Sequence, residues 1–215
     1  MKKGAAPERS KQESYNLIVT GVGGQGNVLS SQLIGQAFVG KGYFVTIGET
    51  YGASQRGGAV MSHIRISREK QPSPLIPKGK ADVVVALEPV EALRVLTVYG
   101  NPDTVVIANT RPIYPIDVTS GDEKYPESET IEKSLKVLSR KVYSIAATDK
   151  AMQLGSSILG NMVLLGALLG LNLLPLSLEE FRKILSKNFS EKKLEANLQA
   201  LDEGQKIARA SEIAP

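Results

Sequence analysis

The sequence predicts an α/β protein in which a mostly parallel sheet is flanked by helices and continues into a helical C-terminal extension. Over residues 15–147, short apolar runs alternate with segments of helical periodicity, a pattern typical of βα units and therefore of parallel strands. A glycine-rich turn joins the first apolar run to the first helical segment. From residue 148 onward the pattern is helical only. Together these features indicate a Rossmann-like sheet followed by helices.

The predicted elements follow in a regular order along the chain. Strands are predicted for residues 15–21, 43–48, 59–67, 81–88, 104–110 and 141–147. Helices are predicted for residues 27–42, 89–100 and 130–139, with a long connector over 111–129. Pro89 suits the first turn of its helix. In the extension, helical segments are predicted for residues 148–155, 158–171, 177–188 and 191–212, and Ser177 with Glu180 forms a capping box.

Length and composition favour one globular domain. The 215 residues are 42% hydrophobic, enough for a sizeable core. We expect a disordered polar tail over residues 1–14 and a single domain over 15–215, divided into an α/β core (15–147) and a helical part (148–215). The net charge of +4 comes from well-mixed charges and aromatic residues make up 5%, so a nucleic-acid surface is not predicted.

The chain contains no cysteine. It therefore offers no disulfide, no thiol nucleophile and no thiolate ligand for zinc or an iron–sulfur cluster. The polar N-terminus lacks the apolar segment of a signal peptide, and we expect a cytoplasmic protein. The apolar run at residues 158–176 is interrupted by Asn161 and Asn172 and ends after Pro175. Its helical part is too short for a bilayer, which favours a buried core or interface helix.

The first candidate site is the turn in "TGVGGQG". Gly21, Gly23 and Gly26 give the spacing G-x-G-x-x-G between a predicted strand and a predicted helix, which is the context of a dinucleotide-binding turn. Glycines there permit positive φ and bring the backbone close to a phosphate, while the helix start offers unpaired N–H groups. Glycines that merely close a tight strand-to-helix turn are the alternative.

A second polar, glycine-rich loop, "ETYGASQRGG", follows the second predicted strand. Glu49 lies about where a ribose-binding acid would sit, but a plain dinucleotide fold has no use for the rest of this loop. The Arg56 guanidinium suits a phosphate or a carboxylate, and Ser54 could bind the same ligand. An ordinary surface arginine, a turn-shaping serine and, at Gln25, a solvated amide are the alternatives. The candidate ligand contacts are Gly21, Gly23, Gly24, Gln25, Gly26, Glu49, Ser54, Gln55, Arg56 and Gly57.

No catalytic residue and no metal ligand is predicted. His63, the sole histidine, lies in the alternating strand 59–67 without a signalled acidic partner or nucleophile. A hydrogen-bonded structural histidine is therefore favoured over a catalytic base. Asp149, before the C-terminal helices, is expected to be an acid at a helix N-terminus.

Three stretches together resemble one family: "GVGGQGNVLSSQLIGQA", "GETYGASQRGGAVMSHIRIS" and "LGNMVLLGALLGLNLLPLSLE". They are similar to the γ subunit, or γ domain, of the 2-oxoacid (pyruvate, ketoisovalerate or indolepyruvate):ferredoxin oxidoreductases. The likeness is strongest to the small β subunit of the indolepyruvate type. It covers residue 15 to the C-terminus, and the pairing of G-x-G-G-Q-G with S-Q-R-G-G is its most specific part.

The resemblance implies a subunit of an enzyme that decarboxylates a 2-oxoacid oxidatively with coenzyme A, giving an acyl-CoA, CO₂ and reduced ferredoxin. It implies a large α subunit that holds thiamine diphosphate, Mg²⁺ and iron–sulfur clusters. The only Gly-Asp pair, Gly121-Asp122, is followed by Glu123 and lacks the rest of a thiamine diphosphate motif. We therefore expect an accessory subunit whose glycine turn meets coenzyme A or another subunit.

Two alternatives to this interpretation remain open from the sequence. The chain could be a free-standing NAD(P)-dependent enzyme, since the glycine turn has the dinucleotide spacing. It could also be a scaffold that binds no small molecule. When isolated, it could pair with itself as a homodimer.

Overall fold

The structure is a computed structural model that describes residues 14–52 and 58–213. Residues 1–13 of the predicted tail lie outside the described residues. The strands are β1 (Tyr15–Val22), β2 (Phe44–Tyr51), β3 (Ala59–Ser67), β4 (Val83–Ala86), β5 (Val105–Asn109) and β6 (Lys141–Ile145). The helices are α1 (Asn27–Val39), α2 (Pro89–Tyr99), α3 (Ile116–Ser120), α4 (Ser128–Leu138), α5 (Ala147–Gln153), α6 (Gly160–Gly170), α7 (Leu178–Asn188) and α8 (Glu191–Ile213).

The strands form one sheet in the order β2-β3-β1-β4-β5-β6. The pairs β1–β4, β4–β5 and β5–β6 are parallel, whereas β3 is antiparallel to both β1 and β2. Because β3 alone is reversed, the other five described strands run in one direction. The predicted mostly parallel sheet is confirmed, with β3 as its antiparallel member.

The core lies on both faces of the sheet, because successive side chains of a strand point to opposite sides. One face packs Leu17 and Val19 of β1 against α1, α6 and α8. The other face packs Ile18 of β1, with residues of β4 and β5, against α2 and α4. Strands covered on both faces read as continuous apolar runs. This explains why β4 and β5 are wholly buried in sequence segments without alternation.

Helix α6 occupies the centre of one layer, and all of its residues are buried. The interpretation of the apolar run as a buried core helix is confirmed. A 3₁₀ turn (Ser157–Leu159) precedes it, so the α-helix begins two residues later than predicted. None of the helices within residues 14–52 and 58–213 has the length and hydrophobicity of a membrane span.

The predicted starts of α2 and α7 agree with the structure, whereas α1 ends at Val39, three residues before its predicted end, and the connector contains a helix. Ser177 caps α7, and a capping box with Glu180 is present. Pro89 opens α2, whose N-cap is the Glu88 carboxylate. The segment predicted as a connector, 111–129, contains the short helix α3. Pro112 and Pro115 precede this single helical turn, which is too short to show helical periodicity.

Candidate functional site

The glycine turn connects β1 to α1 and needs two left-handed residues. Gly24 has φ +95° and Gly26, the N-cap of α1, has φ +88°. L-residues other than glycine rarely adopt this region. A Cβ on Gly26 would also lie 2.2 Å from Nδ2 of Asn161 in α6, whereas nothing lies within 4 Å of one on Gly24. The turn therefore packs against α6 at Gly26 and stays open at Gly24.

Gln25 fastens this turn to the sheet. Its Oε1 accepts a hydrogen bond from the Val22 N–H (2.7 Å), and its Nε2 donates to the Leu87 carbonyl (2.9 Å). A Cβ on Gly21 would stand 2.5 Å from this Oε1, so the glycine leaves room for the amide to fold back. Both ends of the Gln25 amide are thus engaged by backbone groups, one in the last residue of β1 and one in the residue after β4.

The two glycine-rich loops meet at the carboxyl edge of the sheet. The Gly23 N–H donates to the Gly58 carbonyl (3.0 Å), and the Gly52 N–H donates to the Ala59 carbonyl (2.7 Å). The first bond places the Gly58 end of the second loop beside the glycine turn, and the second bond closes the second loop upon itself. Four predicted contacts of the second loop lie outside the described residues: Ser54, Gln55, Arg56 and Gly57.

Glu49 does not lie beside the glycine turn. Glu49 lies on the edge strand β2 and pairs with Ser62 of β3. Strand β3 separates β2 from β1. Its carboxylate accepts a hydrogen bond from the hydroxyl of the exposed Tyr51, and this contact raises the Tyr51 pKa. In a dinucleotide-binding fold, the second strand lies directly beside the first strand in the sheet. The inserted β3 removes that geometry.

A cavity of about 710 Å³ lies between the glycine turn and the N-terminus of α6. It occupies the edge where β1, β4 and β5 end, the usual place for a ligand in an open α/β sheet. The turn contributes Gly23, Gly24 and Gln25 to its wall. Exposed apolar side chains surround the opening: Ile113, Met152 and Ile158. The cavity therefore combines an apolar rim with a floor of mixed polar and apolar side chains, as small-molecule sites commonly do.

The polar side chains of the floor belong to residues that sequence analysis missed. Asn109 ends β5, Thr148 lies in the first turn of α5, and Asn161 in that of α6. All three line the cavity with Arg111, whose guanidinium pairs with Asp149 (3.2 Å). Only Asn109 carried a usable signal, since it is a polar residue ending a predicted buried strand at the ligand-binding edge.

A buried carboxylate supports the loop that carries Arg111. Glu88 is 2% exposed and caps α2 through the Glu91 N–H (2.9 Å). Its Oε1 accepts from the Tyr125 hydroxyl and from the Ile113 N–H (3.4 Å). Burial, followed by the hydrogen bond to Glu88, raises the Tyr125 pKa, so the phenol stays protonated as donor. Glu88 thus ties the loop after β5 to the start of α2.

His63 and Asp149, the remaining candidates, do not line the cavity. His63 is fully buried, its Nδ1 accepts from the Ile76 N–H (3.4 Å), and its ring meets Tyr99 edge-on. Burial lowers the His63 pKa, which keeps the imidazole neutral; this geometry supports a structural histidine. Asp149 lies in the first turn of α5, as expected. Within residues 14–52 and 58–213, no cluster of three or more His, Asp or Glu could hold a metal ion.

Comparison with known proteins identifies relatives along nearly the whole chain. Indolepyruvate oxidoreductase subunit IorB of Archaeoglobus fulgidus is 40% identical over 189 residues, which are 88% of this chain and 92% of that protein. A solved keto/oxoacid ferredoxin oxidoreductase gamma subunit from Geobacter sulfurreducens has the same fold. It is 22% identical, with a TM-score of 0.65, over 91% of this chain and 99% of its own.

A larger enzyme contains a similar unit. The 2-oxoglutarate:ferredoxin oxidoreductase of Magnetococcus marinus, solved with 2-oxoglutarate, coenzyme A and succinyl-CoA bound, matches at 25% identity with a TM-score of 0.69. The match covers 93% of this chain but 32% of that polypeptide. These relatives do not support the alternative of a free-standing NAD(P)-dependent enzyme. The model of the family described as pyruvate ferredoxin/flavodoxin oxidoreductase matches residues 16–207. The chain belongs to this family, as a small subunit of the 2-oxoacid:ferredoxin oxidoreductase type.

Proposed function

We propose that the protein is the accessory γ-type subunit of a 2-oxoacid:ferredoxin oxidoreductase, with indolepyruvate as the favoured 2-oxoacid. The observation that carries this proposal is the 40% identity to an indolepyruvate oxidoreductase subunit over nearly the full length of both chains. The absence of cysteine means that no cluster is held through thiolates of this chain. Electron transfer to ferredoxin therefore belongs to a partner.

The partner is a large α subunit that binds thiamine diphosphate with Mg²⁺ and the iron–sulfur clusters, and the complex works in the cytoplasm. Thiamine diphosphate would supply the decarboxylation chemistry there. The small subunit's own contribution is binding and assembly, over a single domain that joins the α/β core to the helical part. We assign no part in this binding and assembly to the tail at residues 1–14.

Coenzyme A is the ligand that we propose for the cavity beside the glycine turn. The volume of about 710 Å³ is within the range of cofactor sites. The open backbone at Gly24 and the start of α1 favour an anionic group. Arg111 on the opposite wall and Arg56 in the second loop supply cations for phosphate. The apolar rim suits the pantetheine arm.

Separate purification of the two subunits tests the proposal. The small subunit alone, with a 2-oxoacid, thiamine diphosphate and coenzyme A, should reduce no viologen and show no iron–sulfur absorption. Mixing it with the large subunit should restore 2-oxoacid-dependent reduction. Coenzyme A should bind the complex in isothermal titration, and NAD(P)H should not. Viologen reduction by the single chain, or tight binding of NAD(P)H, would contradict the proposal.

A further inference from the structure

We propose that the Thr148 hydroxyl donates a hydrogen bond to an anionic group of the ligand in this cavity, and that Asn109 is the positioning residue that aims it. The identity of the ligand, coenzyme A, rests on the proposed function. The two residues lie 39 positions apart in the chain and meet where β5 ends and α5 begins.

The orientation of the Asn109 amide is fixed by groups with only one hydrogen-bonding role. Its Oδ1 accepts from the Thr148 backbone N–H (3.2 Å), which can only donate. Its Nδ2 donates to the Leu87 carbonyl (3.1 Å), which can only accept. An exchanged oxygen and nitrogen would break both contacts. Since Asn109 is 3% exposed, the amide is held in this one arrangement.

This arrangement determines the role of the Thr148 side chain. The same Nδ2 donates to Thr148 Oγ1 at 2.8 Å, so the hydroxyl oxygen is an acceptor. Its own hydrogen must then point elsewhere. Within the described part of the chain, Thr148 Oγ1 donates to no acceptor, including the carbonyl four residues earlier that threonines in helices often use. Thr148 lines the cavity, so its donor is available there.

A second side chain in the same cavity lacks a partner. Asn161 is 4% exposed, lines the cavity and makes no hydrogen bond within residues 14–52 and 58–213. Its amide is not among the fully enclosed unpaired groups of the described residues, so its polar atoms face the open cavity and can meet a ligand there. Together with the Arg111 guanidinium, the free donors of Thr148 and Asn161 describe a site for an acceptor-rich anion, such as a phosphate.

Asn109 also couples the two walls of the cavity. The Leu87 carbonyl lies one residue beyond β4 and accepts from both Gln25 Nε2 and Asn109 Nδ2. The glycine turn and the Thr148 wall are therefore joined through one oxygen. A change at Asn109 should reach the ligand through the direction of the Thr148 hydroxyl rather than through a contact of its own.

Coenzyme A binding to the reconstituted complex, measured by isothermal titration with variant small subunits, tests this inference. Thr148→Val keeps the shape of the side chain but removes the donor, and should weaken binding about tenfold. Thr148→Ser keeps the hydroxyl and should bind within about twofold of wild type. Thr97→Val is the matched control, since this exposed threonine bonds its own helix through the Arg94 carbonyl and should change nothing.

Asn109→Asp tests the positioning role. A carboxylate cannot donate to Thr148, so the hydroxyl should turn toward it and away from the ligand. Binding should weaken in the wild-type background and by less in the Thr148→Val background, where only the repulsion between the new carboxylate and the anionic ligand remains. Wild-type affinity in a Thr148→Val subunit of unchanged melting temperature would overturn the inference, whether or not Asn109→Asp folds. No coenzyme A binding by the wild-type complex would instead overturn the proposed function.

Discussion

Gly166 of α6 lies directly against Leu201 of α8: a Cβ on Gly166 would stand 1.9 Å from the Leu201 carbonyl oxygen. The contact is reciprocal, because a Cβ on Gly204 of α8 would stand 1.9 Å from the Val163 carbonyl oxygen in α6. The two helices therefore touch backbone to backbone. This contact anchors the C-terminal helix on the helix whose first turn lines the cavity.

We predict that Gly166→Ala lowers the free energy of unfolding by about 3 kcal/mol, because the methyl group would force two backbones apart. Gly160→Ala, in the same helix, is the control. Its Cβ would meet nothing closer than 3.7 Å, and alanine favours helix by about 1 kcal/mol over glycine. Chemical denaturation of both variants measures the two free energies of unfolding. Equal values would show that α6 and α8 can move apart without cost.

The sequence predicted the elements of this fold better than their pairing. The alternation at residues 59–67 gave the bounds of β3 correctly. Alternation describes one strand and its two faces, however, and contains nothing about the neighbouring strand. The position of β3 between β1 and β2 was therefore not predictable. The same limit applies to Glu49, whose distance from the glycine turn depends on that pairing.

The candidate site divides in the same way. Local spacing located the glycine turn, but only Gly26 of the three motif glycines has positive φ, and the second left-handed residue is Gly24, outside the motif. The floor could not be found by spacing, since Asn109, Thr148 and Asn161 come from three separate elements. Gln25 shows the intermediate case. The sequence indicated Gln25 as a candidate, but its hydrogen bond to Leu87 joins distant parts of the chain and is visible only in the fold.

Gly26→Ala should destabilise the protein by about 1–3 kcal/mol, because its φ of +88° is strained for an L-residue and Asn161 lies in the way. Gly23→Ala should cost less, since its φ is not positive and the nearest atom to a Cβ there is 3.8 Å away. Thermal melting of the two variants makes the comparison. If the Gly23 variant were as unstable as the Gly26 variant, backbone φ and the space around the Cβ would not explain why glycine is needed in this turn.

Acidification should destabilise the fold through His63. Burial lowers its pKa in the folded protein, whereas the unfolded chain has the ordinary value near 6.5. Below about pH 6.5 the unfolded state therefore binds a proton first, and the free energy of unfolding falls by at most about 1.4 kcal/mol per pH unit. His63→Gln cannot titrate and should show a shallower slope between pH 7 and 5. Parallel slopes for both proteins would assign the acid sensitivity to other groups.

Arg56 should matter for coenzyme A more than for the 2-oxoacid. The hydrogen bond from Gly23 to Gly58 fixes the end of its loop beside the glycine turn, at the edge where ligands of open α/β sheets bind. In the reconstituted complex, Arg56→Ala should raise the Michaelis constant for coenzyme A about ten- to hundredfold, the effect of one charge-assisted hydrogen bond.

Arg56→Lys should restore only part of that loss, because an ammonium group cannot form the bidentate contact. Arg140→Ala is the matched control, since the exposed Arg140 directly precedes β6 at the opposite edge of the sheet; it should leave both Michaelis constants unchanged. If Arg56→Ala instead weakens subunit association while the complex that remains shows normal coenzyme A kinetics, Arg56 contacts the partner subunit and not the ligand.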